Sequence, residues 1–291
     1  MLPMIYVNVP ESLPHGPGNG RNIGIETATG EWLAFLDCDD MYSMTAFTDI
    51  YNAIQQRDDG KLASVITSFL QYTIETNTYT QMPNQDPSYM HGHFYKREFL
   101  NTYKIRNDPK ILIIEDGYFN LLFNATCQEY DYHNDYFNNV NTYIWRVHQD
   151  HKGLSFNADP SNQEDTNYTI ESRLTCVKEI LNRFKDAKGG AYNYALRVSL
   201  DSLLSGYFEY IYTVSTGKKQ ALPGLERWNK KILKVLKEDF KYSKKKTMDF
   251  CLDENNFNSV KEVYELHFGA LDTATFTLKQ FYDLLDGKKN G

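Results

Sequence analysis

Residues 16–40 read GPGNGRNIGIETATGEWLAFLDCDD, and their order decides the fold. Gly16, Gly18 and Gly20 predict a tight loop with positive φ, a region glycine enters without a Cβ penalty. Arg21 and Asn22 then begin a helix that buries Ile23, Ile25 and Ala28, and Thr29-Gly30 stops it. The run at 32–36 is almost wholly apolar, as expected for a strand buried between helices. It ends abruptly in Asp37, Cys38, Asp39 and Asp40. Carboxylates at the C-terminal end of a parallel strand lie where open α/β sheets bind ligands. Asp37 and Asp39, one residue apart, suit a hard divalent cation, which in turn neutralises a diphosphate. Acidic turns also cap helices, and Asp40 reads as the cap of a helix over 41–53.

Outward from this stretch, β-rich runs at 4–9, 63–70 (continuing through 71–80) and 111–114 alternate with helical stretches at 45–56 and 118–127, an α/β pattern. From about Tyr168 the spacing turns helical, with Ile170, Leu174, Val177, Ile180, Leu181 and Phe184, then 196–212 and 228–240. Two domains are expected, 1–160 and a mainly helical 161–291. Charge divides at the same place: residues 1–160 hold 10 Lys and Arg against 20 Asp and Glu, the remainder 21 against 18.

The formal charge of -7 disfavours bulk nucleic-acid binding. A mean hydropathy of -0.56 and the lack of a long apolar run argue against a membrane span. Cys38, Cys127, Cys176 and Cys251 stand far apart with no CxxC pair, so reduced thiols are expected rather than a disulfide framework or a structural zinc. Residues 1–12 carry no basic leader and no long apolar core, so a signal peptide is not expected. A cytoplasmic protein follows, with the inner membrane surface as a further place of action. The lysines at 230, 231, 234, 237, 241 and 244–246 read first as the solvated face of an amphipathic helix, and second as a contact for an acidic acceptor or membrane surface.

Arg21-Asn22-x-Gly24-Ile25, then Ala28-x-Gly30-Glu31, an apolar strand and Asp37-x-Asp39-Asp40 together resemble the family 2 glycosyltransferases of the GT-A fold. Further pieces follow in family order: His91-Gly92-x-Phe94-Tyr95-Lys96-Arg97-x-Phe99-Leu100, then Glu115-Asp116, then Tyr143-Ile144-Trp145-Arg146-Val147-His148 with Ser155. The resemblance spans about residues 4–156 and implies a GT-A-like (Rossmann-like) mixed sheet. It implies a metal-dependent transferase that moves a sugar from a nucleotide-sugar, UDP-linked by analogy, to a glycan or polymer acceptor, with inversion. Asp116 is implied as catalytic base. Arg21, Asn22, Asp37, Asp39 and Arg146 are implied at the nucleotide-sugar, and Asp39, Asp37 and His148 at Mn2+ or Mg2+.

These roles make chemical sense, since inversion needs one carboxylate to take the acceptor proton while a cation stabilises the departing diphosphate. Without the family context, Glu115-Asp116 reads as an acidic pair at a helix N-terminus, and His148 as a surface histidine. Members of the family begin with a strand, helix and strand. Here 36 residues precede Asp37, and one βαβ unit takes about 30. The chain is therefore expected to lack that first unit, through a misassigned start, a half supplied by another polypeptide, or a shortened protein. An open sheet edge at 4–9 is then expected to favour a homo-oligomer or a partner chain. The alternative reading is a noncatalytic glycan-binding or assembly protein on a truncated GT-A scaffold.

Overall fold

The computed structural model describes residues 4–12, 16–82, 89–111, 114–147, 163–192, 194, 195 and 198. Expectations at His148, Ser155, Cys251, the lysine series and the helices over 196–212 and 228–240 lie outside these residues. The chain divides into two compact units, Met1–Ala158 with Glu179–Ala195, and Asp159–Lys178 with Leu196–Gly291.

In the first unit, α1 (Pro17–Thr27) leads to β1 (Trp32–Ala34), β2 (Met41–Tyr42), α2 (Ala46–Arg57) and the hairpin β3 (Leu62–Thr73) and β4 (Thr78–Met82). Then come β5 (His93–Lys96), α3 (Arg97–Thr102), α4 (Glu115–Tyr130) and β6 (His133–Val147). One mixed sheet runs β1-β5-β3-β6-β2, with β4 added to β3. β3 and β6 are parallel; every other pairing is antiparallel. The expected mixed α/β sheet is present.

The sheet centres on β3, whose first eight residues are buried in succession. A strand covered on both faces needs such a run of apolar and small residues, and LASVITSF supplies it. On one side α2 buries Ala46, Ile50, Ala53 and Ile54, spaced along a single helical stripe, the last three in one cluster with Leu62, Val65 and Phe94. α4 is buried through most of its length, and Phe119 and Phe123 meet the Tyr95 ring edge-on at 5.4 and 5.0 Å. α5 (Gln163–Phe184) buries Leu174, Val177, Ile180, Leu181 and Phe184, the stripe read from the sequence.

Five local expectations are corrected. Residues 4–9 form no strand, and Met4, Ile5, Tyr6 and Val7 are exposed, so no sheet edge lies there. Gly18 and Gly20 lie inside α1 rather than in a positive-φ loop, because Pro17 pre-sets a helical φ in the first turn and needs no intrahelical hydrogen bond there. β1 is short, antiparallel to β5 and at one end of the described strand order, and Leu36 beyond it is half exposed. Ile111 and Ile114 are in no strand; Ile111 closes a turn on Asp108, and Ile114 takes φ 64° before α4. Asp40 caps nothing, since α2 begins at Ala46 behind Thr45.

Gly92 fixes the entry to β5. It sits at φ 68°, and a Cβ there would lie 2.7 Å from both the carbonyl oxygen and Oγ1 of Thr67. Gly92→Ala is therefore expected to lower stability by about 2 kcal/mol or more, the left-handed backbone cost plus a clash with backbone that cannot swing away. A urea titration checks it; an unchanged midpoint contradicts the local geometry.

Candidate active site

The site gathers three stretches far apart in sequence: the turn at 37–40, the start of α4, and the segment entering β5. Arg21 ties the first two together. Its Nη2 donates to Asp37 Oδ1 at 3.0 Å, and its Nη1 to Glu115 Oε1 at 2.6 Å. Burial works against the Arg21 cation, but the two carboxylates outweigh it and hold its pKa above the ordinary value. A planar guanidinium suits this bridge, because its fixed fork can serve two carboxylates at once.

Asn22, one residue along α1, spends its amide elsewhere. Its Nδ2 donates to the Asn107 carbonyl and its Oδ1 accepts from the Asn107 N–H, pinning α1 to the segment before α4. Asp116 lies in the first turn of α4, next to Glu115 that begins it, with Oδ1 accepting the Gly117 N–H at 2.8 Å. Burial, and then the neighbouring Glu115 charge, push its carboxyl up to about 6. A carboxylate so placed is a stronger base than a solvated one.

The 37–40 turn closes onto β6. Asp40 is buried; its Oδ2 accepts the Tyr143 hydroxyl at 2.6 Å and its Oδ1 the Arg146 N–H at 2.8 Å. The Tyr143 hydroxyl also accepts the Asp37 N–H at 3.4 Å. Burial raises the Asp40 pKa against the pull of those two bonds, and burial followed by the Asp40 contact pushes Tyr143 far up, so the phenol remains a donor. β6 can reach this turn because its register against β3 jumps: Thr67 pairs with Phe137 but Ser68 with Asn141. Such a bulge re-aims the strand beyond it.

Asp37, Asp40 and His91 each offer one ligand atom, and the three atoms lie within 4.8 Å of one another. The set of two carboxylates and an imidazole suits a divalent cation. Burial lowers the His91 pKa to about 4, which leaves the ring neutral at pH 7, as ligation requires. The sequence pointed instead to Asp39, Asp37 and His148. The structure brings Asp37 into the cluster, leaves Asp39 exposed on the same turn, and does not describe His148. The sequence did not mark Asp40 or His91 as ligands, because Asp40 read as a cap and His91 entered only as part of the family-like segment at 91–100. Arg146 reaches the site through its backbone N–H.

Fold and acidic pole together define a GT-A-type α/β domain. Residues 5–130 match the family described as glycosyl transferase family 2. That stretch is a family 2 glycosyltransferase domain, and the chain is a glycosyltransferase. Similar solved structures include S. aureus TarS 1-349 in complex with UDP, at 16% identity and TM-score 0.51 over 86% of this chain and 70% of that one. TarS 1-349 alone matches at 15% and 0.51 over 88% and 72%, and its complex with UDP-GlcNAc at 16% and 0.51 over 86% and 72%. At this identity the likeness is one of fold. No curated protein matches the chain. Among the described residues no helix is long and apolar enough to cross a membrane.

Proposed function

We propose that the chain transfers a sugar from a nucleotide-sugar, with UDP as the nucleotide, to a hydroxyl of a glycan or polymer, in one displacement that inverts the anomeric carbon. The observation that carries this reading is the Arg21 bridge, which sets the Asp37 turn and the Glu115-Asp116 helix start at one pole. The TarS complexes with UDP and UDP-GlcNAc support the choice of donor. The acceptor oxygen bonds to the anomeric carbon as the bond to the diphosphate breaks, and the acceptor proton passes to Asp116. Arg21 and Asp37, with Asp39 on the same turn and Arg146 on β6, flank the nucleotide. Asn22 acts one step back, through Asn107. Asp37, Asp40 and His91 would hold Mn2+ or Mg2+, with Asp39 beside them; bound there, the ion neutralises charge on the departing diphosphate.

Calorimetry with UDP tests the donor half. UDP is expected to bind in the presence of Mn2+ or Mg2+, to lose its heat in EDTA, and to lose it again in Asp37→Ala. Asp39→Ala and His91→Ala separate the two candidate ligand sets, since the cluster needs His91 more than Asp39. Equal UDP affinity with EDTA and with metal overturns the cation role.

A further inference from the structure

The segment at 89–91 links α4 to the acidic turn at 37–40, and it carries two aromatic rings, Tyr89 and His91, on either side of the buried Met90. Asn120, one helical turn beyond Asp116 on the same face of α4, donates from Nδ2 to the Tyr89 carbonyl at 3.0 Å and accepts the Tyr95 hydroxyl at 2.6 Å. Two residues on, His91 lies in the cluster with Asp37 and Asp40. The Tyr89 main chain is thus anchored to the base-bearing helix, and its neighbour reaches the acidic turn.

The Tyr89 ring is fixed yet open. It lies parallel to His91 at 5.8 Å and 11°, and meets Phe69 edge-on at 6.0 Å, but remains 40% exposed. Trp145 on β6, partly exposed, stacks on His91 at 5.6 Å and 24°. The other exposed aromatics among the described residues do not share this placement: Tyr6 precedes α1, Phe47 and Tyr51 stand on α2, Tyr79 packs on Tyr72 in the β3–β4 hairpin, Tyr130 ends α4 stacked on Tyr103, and Tyr136 stands near the start of β6. An aromatic ring already held by its neighbours loses little freedom when a ligand covers it. A pyranose has the matching surface, an apolar face of C–H groups ringed by hydroxyls, and a transferase must hold its acceptor hydroxyl against a base.

We propose that Tyr89 is the acceptor platform, with Trp145 stacked on the same His91 ring: a pyranose ring of the acceptor stacks on Tyr89 with a hydroxyl directed to Asp116. This rests on the reading of Asp116 as base. A nucleobase could stack on the same ring, but the anchoring of Tyr89 to the Asp116 face of α4 favours the acceptor.

The test is saturation-transfer NMR on the full chain, without donor or metal, using methyl β-D-glucopyranoside and methyl N-acetyl-β-D-glucosaminide, with sorbitol as an acyclic polyol that lacks the ring face. Ring C–H signals are expected for at least one glycoside and not for sorbitol. Glycoside affinity is expected to fall about three- to tenfold in Tyr89→Leu and to be kept in Tyr89→Trp and Tyr89→Phe. Asp116→Asn is expected to leave stacking in place while slowing turnover about 100-fold or more, so undiminished turnover in that variant would remove the base assignment without touching the glycoside result. Absence of glycoside signal in the unaltered chain overturns the platform. So does an unchanged affinity in folded Tyr89→Leu, or a loss of UDP affinity in that variant equal to its loss of glycoside affinity.

Discussion

Asp116→Asn is expected to fold normally and to bind UDP as well as the unaltered chain, but to turn over about two to four orders of magnitude more slowly. Asn is nearly isosteric with Asp and keeps the oxygen that accepts the Gly117 N–H, so the first turn of α4 is not disturbed. It cannot accept the acceptor proton. If Asp116 merely favours the helix dipole at the start of α4, Asn retains most of the local bonding and turnover hardly changes. The pH profile gives a second readout. A pKa near 6 means that the basic form dominates above that pH, so activity at low substrate should rise through about pH 6 and then level. A residual activity in Asp116→Asn that keeps the same limb would point to another group, Glu115 first.

Much of this domain is legible in the sequence because the informative patterns are local. A helix, a Gly stop, an apolar run and an acidic turn follow one another within 25 residues, and α1, β1 and the 37–40 turn appear in that order. The stripe of α2 and the apolar body of α4 are equally local signals. What the sequence hides is closure over distance. Asp40 and Tyr143 are 103 residues apart, and no spacing rule joins them. β6 begins with the polar run HNDYFNNVN and carries a register jump, so it shows no alternation before residue 141. His91 gains meaning only when β5 brings it to the turn at 37–40. The opposite error arises at 4–9, where apolar residues look like a strand but pair with nothing among the described residues. Pro17 was a readable signal for an earlier helix start than the glycines suggested.

Arg21→Leu should have the largest effect on the scaffold. Leucine fills part of the volume but leaves Glu115, 12% exposed at its side chain, without its cation, along with the more exposed Asp37. Breaking a buried pair by removing one partner costs about 3 kcal/mol or more, and most of that should come from Glu115, because solvent screens Asp37. Chemical denaturation measures it, and a loss under about 1 kcal/mol would mean the bridge is only decorative. Adding Glu115→Leu should restore much of the stability, since an apolar pair replaces an orphaned charge. UDP affinity should stay reduced in the double variant, as in Arg21→Leu alone, because the 37–40 turn would still lack its tie to α4. The same pair leaves a mark on Asp116: Arg21 lowers its pKa and Glu115 raises it. The acid limb of activity should therefore move above pH 6 in Arg21→Leu and below it in Glu115→Gln. Opposite shifts from two neighbouring substitutions are what electrostatic coupling to one base requires, whereas a general loosening of the site would move both limbs the same way.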